Sequence, residues 1–260
     1  MNQWYQAVVP RDYSIERFFT IQGFLGSMER ENAMVLYFEK TDSVKALLKD
    51  LDLTVIKEGD WVEKWREYFK PVKAGKLTIV PPWKRKEGNV VINPARGFGT
   101  GHHETTRISI ELIEEVLNKD NNINNMIDVG TGSGILSISA LKTNPKLKVT
   151  AIDNDSDALE NAFENVVLND LVNSVEISSE PLFRFNGKYD ITVANIISSV
   201  LYFLAEDIKK VSAKWLILSR VIDSEKDVFA DKMGLNDFDL IKRVEENEWV
   251  GFLFKRRKNG

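Results

Sequence analysis

The sequence has no cysteine among its 260 residues, which excludes disulfides and thiolate metal sites. Its two histidines are too few for a histidine-rich zinc site. No apolar run approaches the roughly 18 residues needed to cross a bilayer, and the first residues lack the basic and apolar segments of a signal peptide. These absences predict a cytoplasmic protein without a membrane partner.

The sequence also has no large excess of charge of one sign: 35 basic and 39 acidic residues give a net charge of −4. This balance disfavours tight non-specific binding of nucleic acid, so no direct nucleic-acid contact is expected. The basic end FKRRKNG is interpreted as a solvated tail. A hydrophobic fraction of 43% is ordinary for a globular protein, and the length accommodates a large domain with a small one.

Residues 1–57 are predicted to form a small α+β domain. Alternating apolar residues indicate strands at QWYQAVV, GSMER, MVLYFE and LTVIK. Helical spacing indicates helices at SIERFFTIQGFL and DSVKALLKDL, the second capped by Asp42 or Ser43. The order βαββαβ is that of a ferredoxin-like module. Because the segment has no constellation of histidine, aspartate or glutamate, we interpret it as a binding module rather than a catalytic one.

Residues 58–72 are predicted to be a helical linker that ends before Pro71. Four aromatic side chains fall on one face of this helix: Trp61, Trp65, Tyr68 and Phe69. Two compatible interpretations stay open. The segment is either a connecting helix packed against its neighbours or a lever whose aromatic face docks on either domain.

Residues 73–260 alternate between strand and helix patterns, which is typical of a mainly parallel sheet covered by helices on both faces. The last two strands are separated by a short turn near Asn247, so they are expected to form an antiparallel hairpin at the edge. Seven strands ending in such a hairpin favour a Rossmann-like methyltransferase sheet over a dehydrogenase.

A glycine-rich turn follows the first parallel strand in MIDVGTGSGIL. Gly130, Gly132 and Gly134 stand where open α/β sheets bind ligands, directly after the acidic strand end at Asp128. A dinucleotide fingerprint requires G-x-G-x-x-G, but position 135 is isoleucine. The pattern G-x-G-x-G instead resembles the first motif of S-adenosylmethionine-dependent methyltransferases. A tight strand-to-helix turn without a ligand remains the alternative.

Two further strand ends carry polar residues. Asp153 ends the second strand, where a carboxylate can accept both hydroxyls of a ribose; capping the next helix is its alternative role, for which Asp155 and Ser156 are better placed. Asn195 ends the fourth strand, close to where a transferred methyl group would project. Since a buried asparagine is costly unless paired, a functional role is expected for Asn195.

The stretch GFGTGHHETT raises the question of a metal through His102, His103 and Glu104. Consecutive histidines on a helix do not face one ion, and the i, i+4 spacing of zinc helices is absent. We therefore expect no metal, and interpret His103 as a residue that orders the loop over a cofactor.

Together, the segments NPARGFGTGHHETT, DVGTGSGIL, AIDND, ANIISSVL and EWVGFLFKR resemble the PrmA family, whose enzymes methylate ribosomal protein L11. The resemblance extends to DWVEKWREYFKPVKAGKLTIVPPW, while residues 1–58 match in layout and length only. The family's usual F-G-T-G-T-H-x-T-T reads FGTGHHETT here, with His102 in place of threonine. Its usual N-I-L-A reads NIIS, which bears on the acceptor pocket.

The resemblance implies a lysine ε-amine methyltransferase, with an N-terminal α-amine as a further target, that uses S-adenosylmethionine. A monomer is expected, although the sequence itself does not reveal the oligomeric state. The resemblance also implies that the N-terminal domain recognises the ribosomal protein, and that Asn195 is the catalytic residue. The cofactor contacts it implies, together with the motif residues, are Phe98, Gly99, Thr100, Thr106, Asp128, Gly130, Gly132, Gly134, Asp153 and Asn195. Two alternatives remain: methylation of another protein or a small molecule, and a non-catalytic ribosome-binding module.

Overall fold

The chain divides into two compact units, Met1–Lys70 and Pro71–Gly260. The computed structural model describes residues 3–10, 24–30, 33–57, 70–93 and 101–257. The helix expected at SIERFFTIQGFL lies almost entirely outside these ranges, as do residues 58–69 of the expected linker. Each unit is described by itself below.

The first unit contains a four-stranded antiparallel sheet in the order β2-β3-β1-β4. Its elements are β1 (Gln3–Pro10), β2 (Phe24–Arg30), β3 (Ala33–Glu39), α1 (Asp42–Leu47) and β4 (Leu53–Lys57). Alternate residues of β1 and β3 form the core with α1, including the fully buried Leu36 and Phe38. The four predicted strands and the second helix are therefore present.

The cap of helix α1 differs from the prediction. Thr41, in extended conformation, precedes the helix and its side chain accepts a hydrogen bond from the Val44 backbone N–H at 3.2 Å. Asp42 and Ser43 lie one and two residues inside the helix. Thr41 is the cap because the side chain of the residue just before a helix can accept hydrogen bonds from the free N–H groups of the first turn.

The second unit begins with a three-stranded sheet formed by β5 (Val72–Ala74), β6 (Leu77–Val80) and β7 (Val90–Val91). A 3₁₀ helix, Pro82–Glu87, connects the last two. The β5–β6 turn is tied to the main domain by Glu114, whose carboxylate accepts from the Lys76 backbone N–H at 3.0 and 3.1 Å.

The main sheet has seven strands in the order β10-β9-β8-β11-β12-β14-β13. The first five in this order are mutually parallel, whereas β14 pairs antiparallel with both β12 and β13, so β14 alone runs in the opposite direction. This confirms an α/β domain with a mixed sheet and a C-terminal antiparallel hairpin, which turns at Asn247 with φ 54°. The strands are β8 (Asn125–Val129), β9 (Lys148–Ile152), β10 (Val175–Ser178), β11 (Tyr189–Asn195), β12 (Ser212–Ile222), β13 (Phe238–Glu246) and β14 (Trp249–Arg256).

Helices cover both faces of this sheet. Strand β12 shows why: Trp215 and Ile217 enter one hydrophobic cluster, whereas Leu216 and Leu218 enter the other. No helix within the described ranges is long and apolar enough to span a membrane. The helices are α2 (Glu104–Lys119), α3 (Ile135–Thr143), α4 (Ser156–Leu168), α5 (Ser198–Phe203), α6 (Ala205–Val211) and α7 (Phe229–Lys232), with 3₁₀ turns at Leu182–Arg184 and Asp223–Glu225.

The packing of α2 on β14 gives a stability test at Gly251. A Cβ at this position would lie 2.3 Å from Cγ2 of the buried Ile108, a branched side chain with little rotational freedom on a helix. We expect Gly251→Ala to destabilise the second unit by about 1–3 kcal/mol through overpacking. Urea unfolding followed by tryptophan fluorescence measures this difference.

Gly187→Ala is the matched control, because a Cβ there would find its nearest neighbour, Tyr189, at an ordinary 3.7 Å. Its free energy of unfolding should stay within about 0.5 kcal/mol of wild type. Equal effects of the two substitutions would contradict the packing argument.

Candidate active site

A cleft of about 1160 Å³ opens at the carboxyl ends of the parallel strands. It is lined by residues that follow β8, β9, β10, β11 and β12, together with the first turn of α2 and the inner face of α4. Strand β8 pairs with β9 on one side and β11 on the other, so the chain changes direction across the sheet here. Open α/β sheets bind their ligands at this kind of crevice.

The turn between β8 and α3 forms the floor of the cleft. Gly130, Gly132 and Gly134 have φ values of 73°, 56° and 77°, the left-handed region that residues with a Cβ rarely adopt. A Cβ on Gly130 would also approach Cγ2 of Ile196 to 2.4 Å. The three glycines are therefore required by the backbone itself, and they leave the floor open to a ligand.

Asp128 lies beneath this turn and supports it. Its Oδ2 accepts hydrogen bonds from Thr131 Oγ1 at 2.8 Å and from Ser137 Oγ at 2.7 Å. The side chain is fully buried and is not part of the described cleft lining. Burial raises the pKa of Asp128 to about 6, against the two hydroxyl hydrogen bonds that lower it. The structure thus shows Asp128 in contact with the loop, and its expected contact to the cofactor stays a prediction.

Asp153 follows β9 and lines the cleft. Its Oδ2 accepts from the Gly132 backbone N–H at 2.9 Å, and its Oδ1 accepts from the Asp155 backbone N–H at 3.1 Å. The carboxylate therefore joins the glycine turn to the start of α4, and each oxygen retains a lone pair for a ligand. Asp155 caps α4 by accepting from the Asp157 N–H at 2.9 Å, which confirms that the cap is not Asp153.

Asn195 is the last residue of β11 and also lines the cleft. Its Nδ2 donates to Thr106 Oγ1 at 3.4 Å, whereas its buried Oδ1 has no partner among the described groups. A buried carbonyl oxygen without a hydrogen bond is costly, and a donor supplied by a ligand would remove that cost. This oxygen is the clearest sign in the cleft of a missing polar partner.

The residues that first suggested a metal organise the start of α2. His103 caps this helix, with Nδ1 accepting from the Thr105 N–H at 3.3 Å, and its ring lies edge-on to Trp249 at 4.9 Å. Burial lowers the pKa of His103. His102 is exposed, and its backbone carbonyl accepts from Arg107. Within the described ranges, no group of three or more histidine and acidic residues is arranged for a metal ion.

Of the other expected contacts, Thr106 lines the cleft beside Asn195. Phe98, Gly99 and Thr100 lie outside the described residues. Sequence reasoning did not single out two parts of the lining: the loop Ser179–Leu182 after β10, and Arg220 at the end of β12. Both follow parallel strands, so the rule that their carboxyl ends share one edge could have drawn attention to them.

The buried Asp128 gives a pH-dependent prediction. In the unfolded chain an aspartate ionises near pH 3.9, but in the folded protein the pKa of Asp128 is raised to about 6. Between these values unfolding releases a proton, so the free energy of unfolding falls as pH rises. The loss is complete about one unit above this pKa and amounts to the order of 1–3 kcal/mol.

Asp128→Asn removes this titration. The stability of the variant minus that of wild type should therefore rise from pH 4 to about pH 7 and then remain level, as measured by urea unfolding at a series of pH values. A difference that stays constant across this range would show that Asp128 is ionised in the folded protein at every pH tested.

Comparison with known proteins agrees with this architecture. The family model described as ribosomal protein L11 methyltransferase (PrmA) matches residues 2–257. A ribosomal protein L11 methyltransferase of Geotalea uraniireducens is 37% identical over 219 residues, covering 77% of this chain and 69% of the relative. One of Campylobacter fetus is 38% identical over 209 residues, covering 77% and 73%.

A solved structure gives the same result. The crystal structure of a ribosomal protein L11 methylase from Lactobacillus delbrueckii superposes with a TM-score of 0.65 at 26% identity, covering 73% of this chain and all of that one (100%). The family match runs through both units and includes every described residue of the cleft. The chain therefore belongs to the ribosomal protein L11 methyltransferase (PrmA) family of S-adenosylmethionine-dependent protein methyltransferases.

Proposed function

We propose that this protein transfers a methyl group from S-adenosylmethionine to lysine ε-amines of ribosomal protein L11, and to an N-terminal α-amine. The observation that carries the proposal is the buried, unpartnered Oδ1 of Asn195, a residue that lines the cleft together with the glycine turn. A donor is missing there, and a substrate amine supplies one.

The described residues fit the cofactor. Asp153 would accept the two ribose hydroxyls with the lone pairs left over from its backbone hydrogen bonds. The turn containing Gly130, Gly132 and Gly134 would let the backbone approach the chain between ribose and sulfur. Thr106 would contact the same end of the cofactor as Asn195. Contacts by Phe98, Gly99 and Thr100 remain predictions from the family resemblance.

The reaction needs alignment more than acid or base catalysis. The bound cofactor supplies a methyl group on a sulfonium: the amine lone pair forms the N–C bond while the C–S pair leaves with sulfur as S-adenosylhomocysteine. The methylated amine then releases its extra proton to solvent. Asn195, at the end of a rigid central strand, holds the amine in line, and such positioning contributes much of the rate in a two-substrate step.

The acceptor must also be neutral when it reacts. A lysine amine in water has a pKa of about 10.4, but burial beside a cationic sulfonium disfavours the ammonium form and lowers that pKa. Asn195 accepts an N–H hydrogen bond without adding a negative charge. A carboxylate at this position would stabilise the unreactive ammonium, so the neutral amide suits the reaction.

The two units receive different roles in this proposal. Residues 1–57 form a ferredoxin-like domain that recognises the ribosomal protein. The helical linker expected at residues 58–72 is confined to residues before Pro71, because Pro71 begins the second unit and Val72 begins β5, and the catalytic domain follows. The described strand order β2-β3-β1-β4 supports the first assignment. The protein acts as a cytoplasmic monomer without membrane or direct nucleic-acid contact, in keeping with its lack of cysteine and its net charge of −4.

Methyl transfer tests the function directly. The purified protein is incubated with labelled S-adenosylmethionine and ribosomal protein L11, and in parallel with a complete lysate. Label on lysines of L11 in both reactions is the expected result. Label on a different protein would change the substrate, and absence of labelled protein in both reactions would contradict the enzymatic proposal.

Asn195→Ala should lower turnover by about 100-fold or more, because the amine loses the group that aligns it. Cofactor affinity, measured by calorimetry, should change little. Asn195→Asp keeps the shape of the side chain but adds a charge, and we expect it to lose turnover at neutral pH and to recover part of it as pH rises. Normal turnover of the alanine variant would exclude the assigned role.

Asp153→Ala should weaken cofactor affinity by about 10-fold or more, since the ribose loses hydrogen bonds to a charged acceptor. Asp155→Ala is the control: it removes a neighbouring carboxylate that also lines the cleft but caps α4. Asp155→Ala should lower the melting temperature while preserving affinity. Calorimetry that finds unchanged affinity in Asp153→Ala would refute ribose binding.

A further inference from the structure

Arg220 has an unusual backbone at the carboxyl end of β12. Its φ is 68°, in the left-handed region that favours glycine. The pairing of β12 with β14 shifts register between Leu218 and Val221, so Arg220 lies in a bulge. Bulges redirect side chains beside active sites, and left-handed residues with a Cβ concentrate at functional positions.

The side chain of Arg220 belongs to the cleft. It is half-buried and contributes to the lining next to His103, whose pKa it helps to lower. Burial lowers the pKa of Arg220 itself, which shows that the guanidinium is partly withdrawn from water. An arginine remains protonated in proteins, so a positive charge is held in the cleft wall.

Charge is distributed unevenly along the cleft. Carboxylates line the end formed by β9, β10 and α4: Asp153, Asp155, Asp157, Glu160, Glu164 and Glu180. Among the described lining residues, Arg220 is the only lysine or arginine, and it lies beyond Asn195 at the other end. A ligand with hydroxyls at one end and an anion at the other would complement this arrangement.

The cofactor has this polarity, with its ribose hydroxyls at one end and the carboxylate of its methionine at the other. Asp153 follows β9 and Arg220 lies two residues before the end of β12, so three strand spacings of about 4.8 Å separate them, roughly 14 Å along the sheet edge. An extended methionine chain and a long arginine side chain that reaches back toward it together bridge such a span.

We propose that Arg220 binds the α-carboxylate of the methionine portion of S-adenosylmethionine. This rests on the cofactor site of the proposed function and adds a positioning residue to it. A guanidinium grips a carboxylate through two parallel hydrogen bonds, which fixes the orientation of the methionine chain and thereby the direction of the methyl group.

The test compares two ligands by calorimetry: S-adenosylhomocysteine, which has the carboxylate, and 5′-methylthioadenosine, which lacks the amino-acid part. Arg220→Gln should weaken binding of S-adenosylhomocysteine by about 10-fold or more, as expected for a lost hydrogen bond to a charged group. Its affinity for 5′-methylthioadenosine should stay within about 2-fold of wild type.

Two further variants separate ligand binding from folding and from general charge. Arg220→Gly supplies a residue that adopts a φ of 68° without strain, so its melting temperature without ligand should not fall, although S-adenosylhomocysteine affinity should. Arg107→Gln removes a nearby charge that is not part of the described lining, and it should leave both affinities unchanged.

Equal losses for both ligands in Arg220→Gln, or no loss for either, would overturn the assignment. So would an S-adenosylhomocysteine loss of the same size in Arg107→Gln. A wild-type protein that binds neither ligand would contradict the proposed cofactor site itself. A wild-type protein that binds both ligands equally tightly would leave that site intact and refute only the role of Arg220.

Discussion

The turn that leaves β8 is the constraint on which the whole site depends. Its backbone passes through the left-handed region at Gly130, Gly132 and Gly134. Because glycine has the greatest backbone freedom of any residue, the conformation of this turn depends on hydrogen bonds from its surroundings. Two carboxylates form these bonds from opposite sides: Asp128 from below, through hydroxyl groups, and Asp153 from the cleft, through a backbone N–H. A rigid glycine turn leaves space for a ligand that the side chains at the neighbouring strand ends can contact together.

The two carboxylates differ in what they do because they differ in burial. Asp128 is fully buried and its pKa is raised to about 6, so its role is to accept hydrogen bonds from Thr131 and Ser137. Asp153 is only partly buried and keeps free lone pairs toward the cleft. Two aspartates thus have different roles: the buried Asp128 supports the glycine turn, and the partly exposed Asp153 is available to a ligand.

The parallel sheet and its ligand-binding edge could be predicted from the sequence because buried strands and amphipathic helices have distinct periodicities. Local choices could not. Thr41, Asp42 and Ser43 are all capable caps, and only the path of the chain out of β3 selects Thr41. The pattern gives the place of Asp128 along the strand but not the full burial of its side chain, nor its hydrogen bonds to Thr131 and Ser137. Arg220 depends on a bulge set by pairing with β14, which is a non-local property.

The sequence of polar groups along the strand ends explains how one cleft can serve two substrates. A carboxylate at Asp153 suits hydroxyl donors, a neutral amide at Asn195 suits an amine that must not be protonated, and a cation at Arg220 suits an anion. A carboxylate in place of Asn195 would stabilise the protonated, unreactive form of the amine. The order is imposed by the sheet, since the three groups belong to the carboxyl ends of β9, β11 and β12: the first two strands are two spacings of about 4.8 Å apart, with β8 between them, and the last two are direct neighbours. The order of the strands in the sheet therefore determines the order of the acidic, neutral and basic groups along the cleft.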